Sequence, residues 1–402
     1  MHKSVLSLEQ VTALNKGFQE QFGRLPERYF SAPGRTEIGG NHTDHQNGKV
    51  LAAAVNLDSL AAVRKTGTQT IRVLSRGYPM VEIQLGDLSF RAEEVNTTAA
   101  LVRGIAARFT EMGHPVGGFD AYVESTVLPG SGLSSSAAFE VLIGTVINHL
   151  FCNGTVSQPQ IAMIGQFAEN TYFGKPCGLM DQMASAVGGL VYMDFENPAQ
   201  PRIEPVCFDF SACGHALCII DSGANHADLT EEYAAIPKEL QSICSHFGKK
   251  VLRQVDPADF CAALPVLRKK YTDRAVLRAI HIYEENERVS RQAAALQAGA
   301  FDTFLSLVRQ SGYSSYMYLQ NVIPAGSIAR QDMAVALALC AHYLQERGAY
   351  RVHGGGFAGT VQAFVPLDLL GSFRAGIDGI LGAGACHVLS IRPLGGVEAI
   401  VG

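Results

Sequence analysis

The hydrophobic pattern changes period several times along the chain. Residues 8–23 read as an amphipathic helix, while residues 49–64 and 70–85 alternate in the manner of strands rich in Val, Ile and Leu. Residues 135–151 form an apolar run of helical length directly after a Gly-Ser turn. A further helix is expected over 157–172, with Ser157 as its N-cap and Pro159 in its first turn. The pattern breaks over 196–214, around Glu196-Asn197-Pro198-Ala199-Gln200-Pro201, and a new strand is expected at Ala216-Leu217-Cys218-Ile219-Ile220. Helices at about 273–297 and 328–346 and strands at about 360–365 and 387–393 complete a mixed helix and strand reading. A boundary near residue 205 divides the chain into residues 1–205 and 206–402, with a small-molecule site expected in the cleft between the two domains.

Composition narrows the function. Of the 402 residues 47% are apolar and only 17% charged, which suits large buried cores. Thirty-two basic residues stand against 37 acidic ones, and the longest basic run is Arg268-Lys269-Lys270, so no electrostatic footprint for nucleic acid exists. An anionic ligand must therefore be held by a local site. Glu9 arrives too early for the apolar core of a signal peptide, and no stretch approaches 18 apolar residues, so neither export nor a membrane span is expected. Nine scattered cysteines without a C-x-x-C spacing read as thiols of a reducing compartment, the cytoplasm.

The strongest local signal is Leu128-Pro129-Gly130-Ser131-Gly132-Leu133-Ser134-Ser135-Ser136-Ala137-Ala138. Its glycines allow close approach of the backbone to an anion, the helix that follows points free N–H groups at it, and serine hydroxyls add donors or ligate Mg²⁺. No Gly-Lys-Ser/Thr ends the run and no G-x-S-x-G occurs, which excludes a Walker A loop and a hydrolase elbow. A second segment, residues 31–45, reads as a glycine-punctuated loop holding Arg35, Glu37, Asn41, His42, Asp44 and His45, polar groups of the kind sugar hydroxyls need. His42, Asp44 and His45 are also metal-ligand types, without a matching cluster elsewhere. A third pairs Glu169, on a helix, with Asp181 in Cys177-Gly178-Leu179-Met180-Asp181-Gln182, one carboxylate for Mg²⁺ and the other for an acceptor hydroxyl. A fourth is Gly354-Gly355-Gly356-Phe357-Ala358-Gly359.

In this order the segments resemble the GHMP kinase superfamily and, within it, the galactokinases. Residues 34–45 follow the frame Gly-Arg-x-Asn-Leu-Ile-Gly-Glu-His-Thr-Asp-Tyr, residues 130–137 reproduce Gly-x-Gly-Leu-Ser-Ser-Ser-Ala, and Pro176-Cys177-Gly178-Leu179-Met180-Asp181-Gln182 is similar to Pro-Cys-Gly-Ile-Met-Asp-Gln. His281 to Val289 also has a galactokinase-like look. The resemblance implies a two-domain α+β kinase fold with its active site in the interdomain cleft, ATP and Mg²⁺ as cofactors, and phosphorylation of galactose at its anomeric hydroxyl. It implies Asp181 as the catalytic carboxylate with Arg35 beside it, Gly130, Gly132, Ser134, Ser135 and Ser136 on the ATP phosphates, and Ser136 and Glu169 on Mg²⁺. Asn41, His42, Asp44 and Tyr233 would face the sugar.

The chain departs from the frame at several positions. Asn41 stands where the family has Glu, Glu37 where it has Asn, and His45 where it has Tyr. Leu128-Pro129 inverts the usual Pro-Leu, and Ala234-Ala235-Ile236-Pro237 lacks the usual arginines. Two other readings stay open at this point: a kinase for an amino sugar or a pentose, and a silent ATP- and sugar-binding regulator.

Overall fold

Local capping starts the helices where the sequence expects them. In the computed structural model, which describes residues 4–127, 132–224 and 229–402, the Ser7 hydroxyl accepts from the Gln10 amide and the Gln10 side chain bonds back to the Ser7 N–H, opening helix Leu8–Phe22. The same reciprocal pair, Ser157 with Gln160, opens Gln158–Ala168, with Pro159 in the first turn. That helix passes at Glu169 into a single π-helical turn, Glu169–Phe173. The apolar run after the serine cluster is helix Ser135–Phe151, and Asp273–Gln297 fills the expected span.

Two expectations change. The stretch 70–85 is a hairpin of two strands, Thr70–Ser75 and Val81–Gln84, with Gly77 at φ 86° in its turn. Most of the sugar-like loop is a strand, Arg28–Gly39, buried along nearly its whole length. A strand covered on both faces shows no alternation, and its pairing with Lys49–Lys65 shifts register between Pro33 and Arg35 and again between Glu37 and Gly39. The proline and glycines that suggest a loop mark these irregularities.

The large sheet runs in the order Ser4–Leu6, Val397–Val401, Arg28–Gly39, Lys49–Lys65, Phe119–Ser125, Thr70–Ser75, Val81–Gln84; Leu190–Asp194 pairs with the other end of Lys49–Lys65 and carries Arg202–Pro205. A smaller antiparallel sheet orders Ala349–His353, Thr360–Pro366, His215–Asp221 and Cys386–Leu389. The chain thus changes sheets between Pro205 and His215, but the division into 1–205 and 206–402 fails for the last strand. Val397–Val401 returns to pair with Arg28–Gly39. The break at 196–201 is the turn of a hairpin inside the large sheet.

Helices Thr98–Glu111, Ser135–Phe151, Gln158–Ala168 and Met180–Val187 bury Ile105, Phe109, Leu142, Val146 and Met183 on the large sheet. A second cluster, including Ile38, Leu51, Val289, Phe304 and Phe364, joins both sheets to helix Asp273–Gln297. A continuous apolar seam of this kind holds the two halves in one geometry, so groups on either side of the cleft keep fixed positions. No helix among the described residues is long and apolar enough to cross a membrane.

Candidate active site

Four stretches of backbone meet at one cleft of about 180 Å³: strand Arg28–Gly39, the turn of residues 42–45, the segment 175–181 that leads into helix Met180–Val187, and the turn after Ala349–His353. Arg35 reaches across from its bulged strand. Its Nε and Nη2 donate to Asp181 Oδ1 and Oδ2, both at 2.7 Å, and its Nη1 donates to the Gly132 carbonyl. The Ser134 hydroxyl donates to Asp181 Oδ2 at 2.7 Å. Burial works against a charge on Asp181, but the Arg35 guanidinium outweighs it, with Ser134 assisting, and the carboxyl lies below its ordinary range. Burial likewise opposes the Arg35 charge and Asp181 restores it. The pair is therefore a fixed, ionised carboxylate whose side chain keeps 30% of its surface open while that of Arg35 keeps 7%.

The serine cluster sits at the mouth of helix Ser135–Phe151. Its first intrahelical bond, from the Ala138 N–H to the Ser134 carbonyl, is 3.1 Å, leaving the amides of Ser135, Ser136 and Ala137 outside the ladder as an anion site. Ser134 adopts φ 57°, ψ 66° at the cap and makes no capping bond, because its hydroxyl is given to Asp181. In this structure the Ser134 hydroxyl, expected on the ATP phosphates, is bonded to the Asp181 carboxylate. Gly132 lies at φ 72°, and a Cβ there would stand 2.7 Å from Thr360 Oγ1 and 3.1 Å from His353 Nδ1. Only glycine lets this loop meet the smaller sheet so closely. Gly130 lies outside the described residues.

The Ser136 hydroxyl donates to Glu169 Oε1 at 3.3 Å, and the Lys175 ammonium is also 3.3 Å from that oxygen. Behind them Gln182 Nε2 bridges Glu140 Oε2 at 2.9 Å and Glu169 Oε2 at 2.8 Å, and Glu140 Oε1 is buried without a partner. Burial, and then the Glu169 charge, push the Glu140 carboxyl well above its ordinary value. An all-oxygen pair, Ser136 and Glu169, backed by surplus buried carboxylate fits a hard divalent cation. Among the described residues no cluster of three His, Cys, Asp or Glu could hold a metal alone, so phosphate and water would supply its other ligands. His42, Asp44 and His45 do not form such a cluster either.

His42, Asp44 and His45 line the cleft with Glu37, Lys175, Cys177 and Gly178. A side chain at Gly178 would collide with the Asp44 carboxylate. The His42 Nε2 lies 3.0 Å from the Gly355 carbonyl, and burial lowers that ring to about 3, so it is neutral. Asn41 is placed differently. It is fully buried beneath the lining, its Nδ2 bonded to Glu37 Oε1 at 3.1 Å and the Gly354 carbonyl at 2.6 Å, its Oδ1 accepting from Asn321 Nδ2 at 2.8 Å and Ser315 Oγ at 3.3 Å. Tyr233 is half-buried against the late glycine turn, its hydroxyl donating to the Gly356 carbonyl at 2.7 Å and its ring edge-on to Phe357. One face of the segment from His281 is internal: Glu285 accepts from the Gly40 N–H at 3.1 Å and from Ser311 at 2.6 Å, and pairs with Arg288, while Glu284 and Glu287 are exposed. It braces the turn that carries Asn41 and His42.

Sequence reasoning missed Lys175 and the charge behind Glu37, and it missed a second cleft of about 560 Å³. That cleft, walled by Leu60, Tyr78, Leu101, Val123 and Phe139 with Ser75, Arg76 and Thr126 at its polar edge, opens onto Ser135 and Ser136. Its walls are drawn from helices and strands far apart in the chain and, Ser135 and Ser136 aside, belong to none of the motifs, so no local signal marks them.

Residues 16–65 match the galactokinase galactose-binding signature, and residues 100–189 match the GHMP kinases N terminal domain. A galactokinase of Streptomyces coelicolor is 33% identical over 369 residues, covering 90% of this chain and 89% of that relative. The fold is similar to the crystal structure of Lactococcus lactis galactokinase complexed with galactose, at TM-score 0.81 and 24% identity over 96% of this chain and 99% of that one. The Methanococcus jannaschii mevalonate kinase gives TM-score 0.64 at 11% identity over 91% and 99%.

Proposed function

We propose, from the premise that this chain belongs to the galactokinase family of the GHMP kinases, how its own residues carry out the family's reaction. The protein is an ATP-dependent sugar kinase that phosphorylates galactose. The observation that supports the assignment of roles is the fork from Arg35 to Asp181, set in one cleft with the signature-bearing strand and beside the helix that opens at the serine cluster.

In this reading the base and ribose of ATP enter the apolar cleft beside Phe139, and the triphosphate runs along the free amides of Ser135 and Ser136 toward Lys175. Ser136 and Glu169 would hold Mg²⁺, which when bound offsets charge on the phosphate oxygens. Asp181 receives the hydrogen bond of the anomeric hydroxyl and takes its proton as the hydroxyl oxygen bonds to the γ-phosphorus and the bond from that phosphorus to the bridging oxygen breaks, with ADP as the leaving group. Arg35 makes Asp181 a weak base, so positioning and electrostatics contribute more than proton abstraction, as phosphoryl transfer permits. His42, a neutral ring, and Asp44 meet the sugar's remaining hydroxyls. All nine cysteines are free, which supports a cytoplasmic home.

An ADP-release assay over a panel of hexoses, pentoses and amino sugars tests this, with the product's phosphate position read by NMR. Galactose should be turned over best and carry phosphate at its anomeric carbon. Preferred turnover of another sugar would remove the substrate, and binding of ATP and sugar without ADP release would remove the catalytic roles.

A further inference from the structure

Glu37 is a buried carboxylate that the mechanism above does not use. It stands two residues beyond Arg35 in a regularly paired stretch of strand, Arg35 opposite Ala54 and Glu37 opposite Ala52, so the two side chains leave the same face of the sheet. It is 3% exposed, and it lines the cleft that holds Asp181 and His42. One oxygen, Oε1, is tied back by the Arg351 Nη2 and by the Asn41 amide at 3.1 Å. The other, Oε2, has no hydrogen bond among the described residues. Arg351 is fully buried and, among the described residues, its one ion pair is with Glu37, its Nε and Nη1 having no partner. Asn41 is used up by Glu37, Gly354, Asn321 and Ser315, which leaves it nothing for a ligand.

We propose that Glu37, through Oε2, accepts a hydrogen bond from one sugar hydroxyl other than the reacting one, and so sets specificity at that carbon. The inference rests on the galactose reading above. The arrangement is that of an acceptor held rigid: Arg351 neutralises the carboxylate from behind, the Asn41 amide fixes its rotamer, and its free oxygen is left to a donor that must come from the cleft. A sugar hydroxyl is such a donor, whereas a phosphate oxygen would be repelled.

The test compares the wild-type enzyme with the Glu37→Gln variant on galactose and its 2-, 3-, 4- and 6-deoxy analogues. A charge-assisted hydrogen bond to a buried acceptor is worth about tenfold to a hundredfold, so Glu37→Gln should lower kcat/KM for galactose by about 30-fold, chiefly through KM. For one deoxy sugar the wild-type and variant values should coincide, while the other three keep the deficit. An unchanged galactose kcat/KM, or an equal deficit on all four analogues, overturns the contact. The KM for ATP and the unfolding midpoint of the variant establish that it is folded. If Glu37→Gln does not fold, Glu37→Asp, which withdraws the charge by one methylene, should give the same single coincidence with a smaller deficit. If the wild-type enzyme prefers another sugar, the galactose reading falls, and the same pairing with that sugar's deoxy analogues decides the Glu37 contact separately.

Discussion

Removing the Asp181 carboxylate should break stability and turnover together, by amounts the geometry sets. Asp181→Ala deletes both bonds of the Arg35 fork and the bond from Ser134, each 2.7 Å long. It leaves a guanidinium whose side chain is 7% exposed, held otherwise by the Gly132 carbonyl. A fully buried charge stripped of its partner costs about 3–5 kcal/mol, and an exposed pair about 0–1 kcal/mol. The Asp181 side chain is 30% exposed and faces the cleft, so water can enter the vacated space. The loss should then fall between those limits, at about 2–3 kcal/mol. Denaturant unfolding measures it. Turnover should fall by at least ~10²–10⁴, the range expected for a positioned acid–base group, as read by ADP release. The control is Asp181→Ala combined with Arg35→Met. With no stranded charge left, that double variant should regain most of the stability and none of the turnover. A single variant within about 0.5 kcal/mol of the wild type, or one turning over galactose at a near-normal rate, would refute the reasoning.

The other expectations concern separate parts of the site. Glu169→Gln should raise the magnesium concentration for half-maximal ADP release by on the order of tenfold or more, and an unchanged requirement removes Glu169 from the metal. Lys175→Met should lower kcat by about 100-fold with little change in the KM for galactose, since the lysine is assigned to the phosphates; a selective effect on the galactose KM would place it on the sugar instead. Gly132→Ala combines a backbone at φ 72° with a Cβ 2.7 Å from Thr360 Oγ1, so it should destabilise by about 1–3 kcal/mol in a denaturant titration. The neutral His42 ring makes stability depend on pH. Its folded value is lowered to about 3, so below about 6.5 the unfolded chain takes a proton that the folded ring refuses. Stability should therefore fall as pH drops from about 6.5 toward 3, by at most ~1.4 kcal/mol per pH unit, and by less because the ring edge reaches solvent. His42→Gln should flatten that slope between pH 7 and 5, and an identical slope in the variant would contradict it.

The sequence by itself determined the features that short-range physics controls. The N-cap at Ser157 opens its helix, the apolar run from Ser135 to Phe151 is one helix, and the order of four glycine-bearing motifs identifies the family. Each depends on residues a few positions apart, whose capping bonds and backbone preferences are legible one segment at a time. Tertiary structure decided the partners. The Ser134 hydroxyl, read in the sequence as part of a phosphate cradle, is brought by the fold within 2.7 Å of Asp181, 47 residues later. Asn41 and Glu37 differ from the family frame, and sequence alone does not say which lines the cleft; Glu37, paired with Arg351 314 residues away, lies in the lining, while Asn321 and Ser315 hold the Asn41 amide beneath it. Strand Arg28–Gly39 was hidden because cover on both faces removes alternation, and Val397–Val401 returned to the first sheet because an unpaired edge there needed a partner. A hydrogen bond is chosen by what burial brings within reach, and burial is a property of the whole chain.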